Sequence, residues 1–364
     1  QRGGLHPNDL PNPRRLTPEA LICIMKKLRG AIIGTGFWAN YQIPAWQELE
    51  GVELVAAYNR TPGRAQAIAD KFGIGRVYDN AEAMLDETKP DFVDIITDVD
   101  THARFTEVAL MRGIDVICQK PMAASLDEAR MMVDRAQKQG ARLFIHENFR
   151  WQAPIRAMKQ ALDAGTIGRP FKARLSFCSG FPVFENQPFL AELDKFILTD
   201  VGSHVLDVAR YLFGEARSLS CLTQRVNAAI RGEDVANVLL NMQHDVHCYV
   251  EMSYASILER ESFPQTLILI EGEKGSMHLT HDFVLKTTTR QGTVAEEIRP
   301  VLYPWLDPDY AVVHSSIVDC NRDILNGLRG GKAETTGSDN LKTVELVWAC
   351  YQSAAENRVV FTSP

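Results

Sequence analysis

In the first 150 positions, short apolar runs alternate with longer stretches of helical character. Residues 29–33, 52–58, 76–78, 92–96, 115–118 and 142–145 read as strands. The run at 92–96 is continuous and rich in β-branched residues, with no polar alternation. Such runs belong to strands covered on both faces. Between them, 62–71, 102–111 and 125–138 read as helices. Ser125 and Glu128 have the spacing of a capping box, and Gly140 stops that helix. Strands alternating with helices imply a doubly wound parallel sheet. After Arg150-Trp151 the rhythm changes. One helix covers 153–163, and strand-like runs then dominate: 170–178, 217–227, 235–242, 246–256, 265–271, 275–280 and 283–289. Short links such as Arg231-Gly-Glu and Glu271-Gly-Glu-Lys-Gly275 argue for a mostly antiparallel sheet. A helix near 200–213 interrupts this series, and helices near 312–328 and 339–357 close the chain. The expected fold class is α/β: a doubly wound domain over 26–148, then an α+β domain over 149–364 with a large open sheet.

The first strand runs directly into Gly34-x-Gly36-x-x-Ala39, and a helix-compatible segment follows. That order matters more than the glycines alone. The first Gly permits the tight turn, and the second lets the backbone approach a pyrophosphate. The third small residue, Ala39, lets helix and strand pack closely. The unpaired N–H groups of the helix then face the anion. This is the pattern of a dinucleotide-binding Rossmann turn, with Phe37 and Trp38 inside it as candidate cofactor contacts. Asn59-Arg60 ends the second strand, where an acidic residue would hold the adenosine ribose. Asn can bond the hydroxyls without repelling a phosphate, and Arg60 can stack on adenine or pair with a 2′-phosphate. NAD is the first choice, and NADP stays open. A plain solvated turn, Asn-Arg-Thr-Pro, is the competing interpretation.

Ligands of doubly wound sheets bind beyond the carboxyl ends of strands. Gln119-Lys120-Pro121 lies there, after the fifth strand. A lysine in that place can hold a substrate hydroxyl, and a cis bond before Pro121 would aim it inward. On position alone, a surface lysine beside a turn proline is an equal alternative. Thr97 and His102 follow the fourth strand, where they can touch the cofactor, although capping and packing is the preferred role for the histidine. Asp200 and His204 stand four apart on the 200–213 helix and can face one cleft. A histidine at a helix N-terminus is biased toward its neutral form, which suits a general base. Arg150 and Trp151 at the junction, and Phe181 in the irregular loop 179–189, are candidate substrate contacts. His244 and His247 lack further ligands of matching spacing, so no metal site is expected.

Bulk properties narrow the function. The chain has 364 residues and a net charge of −7, so it presents no basic field for nucleic acid or an anionic membrane. No apolar run approaches the roughly 20 residues that span a bilayer. Seven scattered cysteines without a CxxC read as reduced thiols in a cytoplasm. Residues 1–25 are rich in Pro, Arg, Asn and Gly and read as an extension outside the fold.

Together, Gly34-x-Gly36-x-x-Ala39, Lys120-Pro121 and Asp200-x-Gly202-x-His204-x-x-Asp207 resemble the glucose–fructose oxidoreductase/inositol dehydrogenase family, Gfo/Idh/MocA. The resemblance covers residues 26–360, including Glu271-Gly-Glu-Lys-Gly-Ser-Met277 and the closing helix through Tyr351-Gln-Ser-Ala. It implies a Rossmann domain, a second domain whose sheet makes subunit contacts in a homodimer or homotetramer, and a sugar or polyol substrate. Hydride would pass to C4 of the nicotinamide from a hydroxyl-bearing carbon. His204 would act as general base, Lys120 would bond the same oxygen, and Asp200 would orient the substrate or the histidine. The family's Glu-Lys-Pro reads Gln119-Lys120-Pro121 here, which leaves the role of that carboxylate open. The string from Arg29 to Ala39 is also similar to the bacterial D-apiose dehydrogenases, which implies oxidation of a hemiacetal carbon to a lactone. Two other classes remain: an NAD-dependent glycoside hydrolase, and a non-catalytic dinucleotide-binding sensor.

Overall fold

The computed structural model describes residues 27–362. The expected N-terminal extension lies outside the described residues. The chain begins β1 (Leu28–Ile33), α1 (Ala39–Gln47), β2 (Val52–Tyr58), α2 (Pro62–Phe72), β3 (Val77–Tyr78), α3 (Ala81–Thr88) and β4 (Phe92–Ile95). It continues α4 (His102–Leu110), β5 (Asp115–Gln119), α5 (Leu126–Gln139) and β6 (Leu143–His146). The six strands form one parallel sheet in the order β3-β2-β1-β4-β5-β6. Successive residues of each strand face opposite layers. Ala31, Ile33, Val93, Ile95, Val116 and Ile145 pack under α3, α4 and α5 through Met84, Leu110 and Met132. Ile32 packs with Ile43 and Ile68 of α1 and α2 on the other face. The continuous apolar runs are therefore fully used.

The expected capping box forms: the Ser125 hydroxyl accepts from the Glu128 N–H at 3.2 Å, and Gly140 ends α5 in the left-handed conformation. Helix α3 was not legible beforehand. It is two turns long, and Asn80 caps it by accepting from the Ala83 N–H.

The remaining elements are α6 (Ala153–Asp163), β7 (Pro170–Cys178), α7 (Ser203–Phe213), β8 (Ala216–Gln224), β9 (Val235–Met242), β10 (His247–Ser253) and β11 (Leu267–Gly272). After them come β12 (Gly275–Thr280), β13 (Val284–Thr289), β14 (Gly292–Glu297), α8 (Ala311–Leu328), α9 (Gly337–Glu356) and β15 (Val360–Phe361). Nine strands make the second sheet, ordered β14-β13-β12-β11-β7-β10-β9-β8-β15. Every pairing is antiparallel except β7 with β10. Strand β14 escapes sequence reading because all of its residues are exposed, so it carries no burial pattern. One face of this sheet, with Leu175, Val238, Val250 and Ile270, packs against α7 and α9. The other carries Arg174, Leu239, Tyr249 and Glu251 and has no helical cover among the described elements. No helix among the described residues is long and apolar enough to cross a membrane.

Two features join the sheets. Helix α8, from the far end of the chain, returns to the first sheet: Ile317, Val318 and Ile324 pack against Trp46, Phe92, Ile117 and Phe144. The second is a buried ion cluster. The Arg150 guanidinium, just past β6, grips Asp207 of α7 through two hydrogen bonds, at 2.7 and 2.6 Å. It also reaches Asp339 of α9 at 2.9 Å, and Arg210 meets the other oxygen of Asp339 at 3.0 Å. Asp207 is wholly buried and accepts a further bond from Thr343. Removing one partner of such a set strands a desolvated charge. Asp207→Ala is therefore expected to lower stability by about 3–5 kcal/mol, read as a shift in the urea midpoint. A shift worth less than about 1 kcal/mol would show that the cluster is dispensable.

Candidate active site

The carboxyl ends of β5 and β6 meet the start of α7 at one cleft. It is a partly open cleft lined by Lys120, Asp200, His204, Trp38, Phe181 and Tyr310 among others.

Lys120 is placed by a buried relay of amides. The Gln119 side-chain oxygen accepts the Lys120 N–H at 2.7 Å, and its amide donates to Gln42 Oε1 at 2.9 Å. Gln42 in turn donates to both oxygens of Asp94, at 2.7 and 2.8 Å, and the Trp46 indole donates to the same carboxylate. Burial pushes the Asp94 carboxyl up to about 7, against the pull of those hydrogen bonds. This accounts for glutamine where the resembling family has glutamate: a carboxylate at 119 would have no hydrogen for Gln42 Oε1. The Lys120–Pro121 bond is cis. The lysine ammonium donates to Asp200 Oδ1 at 3.0 Å and to the Asp200 carbonyl at 3.2 Å.

That pairing changes the part expected of Asp200. Its carboxylate holds the lysine. It makes no hydrogen bond to His204. The chain enters α7 through a wider turn at Leu198–Gly202, with i→i+5 bonding, which alters the spacing that a regular helix would give the two residues.

His204 is partnered from the first sheet instead. Its Nδ1 lies 2.6 Å from Oε1 of Glu147, the residue after β6. The Phe149 ring stacks on the imidazole at 3.8 Å and 11°. Burial first, and then the Lys120 charge, hold the imidazole well below its usual pKa, so it is neutral. Glu147 was not among the sequence candidates. The same cue that pointed to Lys120 was available: a charged residue directly at the carboxyl end of a buried strand.

Other candidates are distributed unevenly. Phe37 and Trp38 line the cleft on the side of the glycine turn. Phe181 lines it too, stacked on Phe263 at 4.0 Å with Tyr310 edge-on. Asn59 is spent largely on its own surroundings. Its amide donates to Thr35 Oγ1 at 2.7 Å and its oxygen accepts the Thr61 N–H at 2.8 Å, while Arg60 is exposed. His102 is buried, with its ring nitrogens each 3.0 Å from the carbonyl oxygens of Thr97 and Pro121. It takes the packing role, tying the segment after β4 to the one after β5. Arg150 and Trp151 do not reach the cleft. The Arg150 fork is committed to Asp207, and Trp151 packs under the Arg156 guanidinium at 4.2 Å. Among the described residues, no cluster of His, Cys, Asp or Glu is placed to hold a metal ion.

The glycine turn fits a dinucleotide. Gly34 has φ +103°, and a Cβ there would meet the Ile96 carbonyl oxygen at 2.3 Å. Gly36 is the reverse: a Cβ there meets nothing within 4 Å. It opens onto free space before α1, as a pyrophosphate cradle requires. A cation and a neutral imidazole thus share a cleft with a nicotinamide-compatible fold. Such a set can remove a hydroxyl proton and stabilise the oxygen left behind.

Comparison with known proteins agrees. Residues 28–147 match the model described as the oxidoreductase family with an NAD-binding Rossmann fold, and residues 155–278 match the Gfo/Idh/MocA C-terminal domain. A D-apiose dehydrogenase of Paraburkholderia graminis is 43% identical over 94% of this chain and 92% of its own length. A D-apiose dehydrogenase of Rhizobium rhizogenes is 42% identical over 92% of this chain and 98% of its own. A crystal structure of an oxidoreductase from Agrobacterium radiobacter, in complex with NAD+, L-tartaric acid and magnesium, superposes with a TM-score of 0.90 at 42% identity. It covers 92% of this chain and 98% of that one.

Gly36→Val is expected to fold normally and to weaken NAD binding at least about tenfold, roughly 1.4 kcal/mol, in a fluorescence titration. Unchanged affinity would place the pyrophosphate elsewhere.

Proposed function

The chain belongs to the Gfo/Idh/MocA family of NAD-binding oxidoreductases, and we propose that it is an NAD-dependent sugar dehydrogenase whose substrate is D-apiose, oxidised at the hemiacetal carbon to the lactone. The observation that carries this reading is the convergence of Lys120 and His204 on one cleft wall, in a chain 43% identical to a D-apiose dehydrogenase. Bound NAD supplies the hydride acceptor, C4 of the nicotinamide. The protein supplies the rest. His204 Nε2 takes the hydroxyl proton as the carbon loses hydride. Lys120 donates a hydrogen bond to the same oxygen and steadies its developing negative charge. Asp200 holds that ammonium in place at 3.0 Å. The aromatic side, Trp38, Phe181 and Tyr310, gives the C–H face of a small sugar an apolar surface and limits water.

The same reading extends to setting. The two separate sheets support a division into 26–148 and 149–364, with α8 crossing back. The bare face of the nine-stranded sheet, where Leu239 and Tyr249 lie among charged residues, suits a homodimer or homotetramer contact. The six described cysteines are free thiols, consistent with a cytoplasmic protein.

A panel of aldoses and inositols with NAD and NADP, followed by NADH absorbance, is expected to give the highest kcat/KM for D-apiose with NAD. No steady NADH formation with any free sugar would favour the hydrolase or sensor readings. Lys120→Ala should lower kcat about 10²-fold or more with nearly unchanged NAD affinity. Normal turnover would remove the lysine from the mechanism.

A further inference from the structure

We propose that Glu147 is a positioning residue for the catalytic base: it sets which nitrogen of His204 faces the cleft and supports the charge that the ring acquires. The proposal rests on the dehydrogenase reading for its chemistry, and on geometry for its assignment.

Three observations converge. Glu147 is wholly buried and is absent from the cleft lining. Its Oε1 already accepts the Phe149 N–H at 3.1 Å, so this oxygen also faces His204 Nδ1 as an acceptor. The imidazole must then carry its hydrogen on Nδ1 and present the Nε2 lone pair to the cleft. Its other oxygen, Oε2, is buried with no hydrogen-bond partner among the described residues. A carboxylate in so dry a place is costly to bury. It has a use when Nε2 takes the substrate proton: the ring becomes a cation in a dry site beside the Lys120 ammonium, and the Glu147 carboxylate offsets that charge across the Nδ1–H bond.

The electrostatic surroundings set the working range. Facing the pair are Lys120 and Asp200 across the cleft, Arg150 and Asp207 behind, His146 on β6, and Cys320 from α8. Burial pushes the Glu147 carboxyl up to about 7, while Lys120 and Arg150 pull it down. Below that range the pair holds an extra proton, and no carboxylate is present to support an imidazolium. The rate should fall as pH falls through about 7, a property of the pair rather than of either residue.

Glu147→Gln tests this, because the amide oxygen can still accept from Nδ1–H and the Phe149 N–H while the charge is gone. In the NAD-loaded enzyme with its best sugar, kcat should fall about 10²-fold or more, KM and NAD affinity should change little, and the inflection near pH 7 should disappear. Retention of kcat and of that inflection would overturn the proposal. Should Glu147→Gln not bind NAD, Glu147→Asp decides: one methylene shorter, it should lose at least about tenfold in kcat at unchanged KM, and full kcat refutes the role. A second readout needs no substrate, so it survives failure of the sugar assignment. Proton NMR of the NAD-bound protein should show a low-field Nδ1–H resonance that titrates near neutrality and is absent in His204→Asn. In Glu147→Gln it should move upfield and stop titrating. A resonance indifferent to Glu147→Gln would also overturn the proposal.

Discussion

Everything in the cleft hangs on one seam, the line where the start of α7 meets the carboxyl ends of β5 and β6. Three residues at or near the start of α7, Asp200, His204 and Asp207, each meet a residue just past β5 or β6: Lys120, Glu147 and Arg150. Glu147 and Arg150 are three apart, as are His204 and Asp207, so the last two contacts are parallel rungs. The lowest rung is the driest, with Asp207 wholly buried and Arg150 nearly so. A desolvated ion pair tolerates little displacement, because separating the charges leaves each without water or partner. The Arg150–Asp207 rung therefore fixes the register of the one above it, and the histidine can meet the glutamate only where that lower rung allows.

The same seam divides labour between charge and dryness. Lys120 and Asp200 sit at the partly exposed end, where a cation can meet a substrate oxygen. His204 and Glu147 lie deeper, where burial drives both toward neutral forms. A neutral imidazole beside an ammonium is a base that gains a proton only when a carboxylate stands behind it. The aromatic side adds no charge. On the proposed mechanism, developing charge on the substrate oxygen would meet fixed donors rather than reorganising water.

Much of this architecture is legible in the chain. Unbroken apolar strands, the glycine turn and the capping signals identify the parallel sheet and its helices, because each depends on residues a few positions apart. Position after a strand found Lys120, and helix-start chemistry found His204. Elements without a burial pattern, such as β14, escaped. So did Glu147, whose importance comes from a partner 57 residues away.

The amino-acid sequence by itself determined the fold class and the dinucleotide turn, and singled out Lys120 and His204 as candidates. Local spacing, propensity and strand ends suffice for those. Only the tertiary structure decided how they are paired. Asp200 went to the lysine and not to the histidine, Arg150 to an internal aspartate and not to the cleft, and Gln119 to an amide relay ending on Asp94. A charged side chain can reach several partners along its own sequence, and burial selects among them by the cost of leaving any one of them dry and alone.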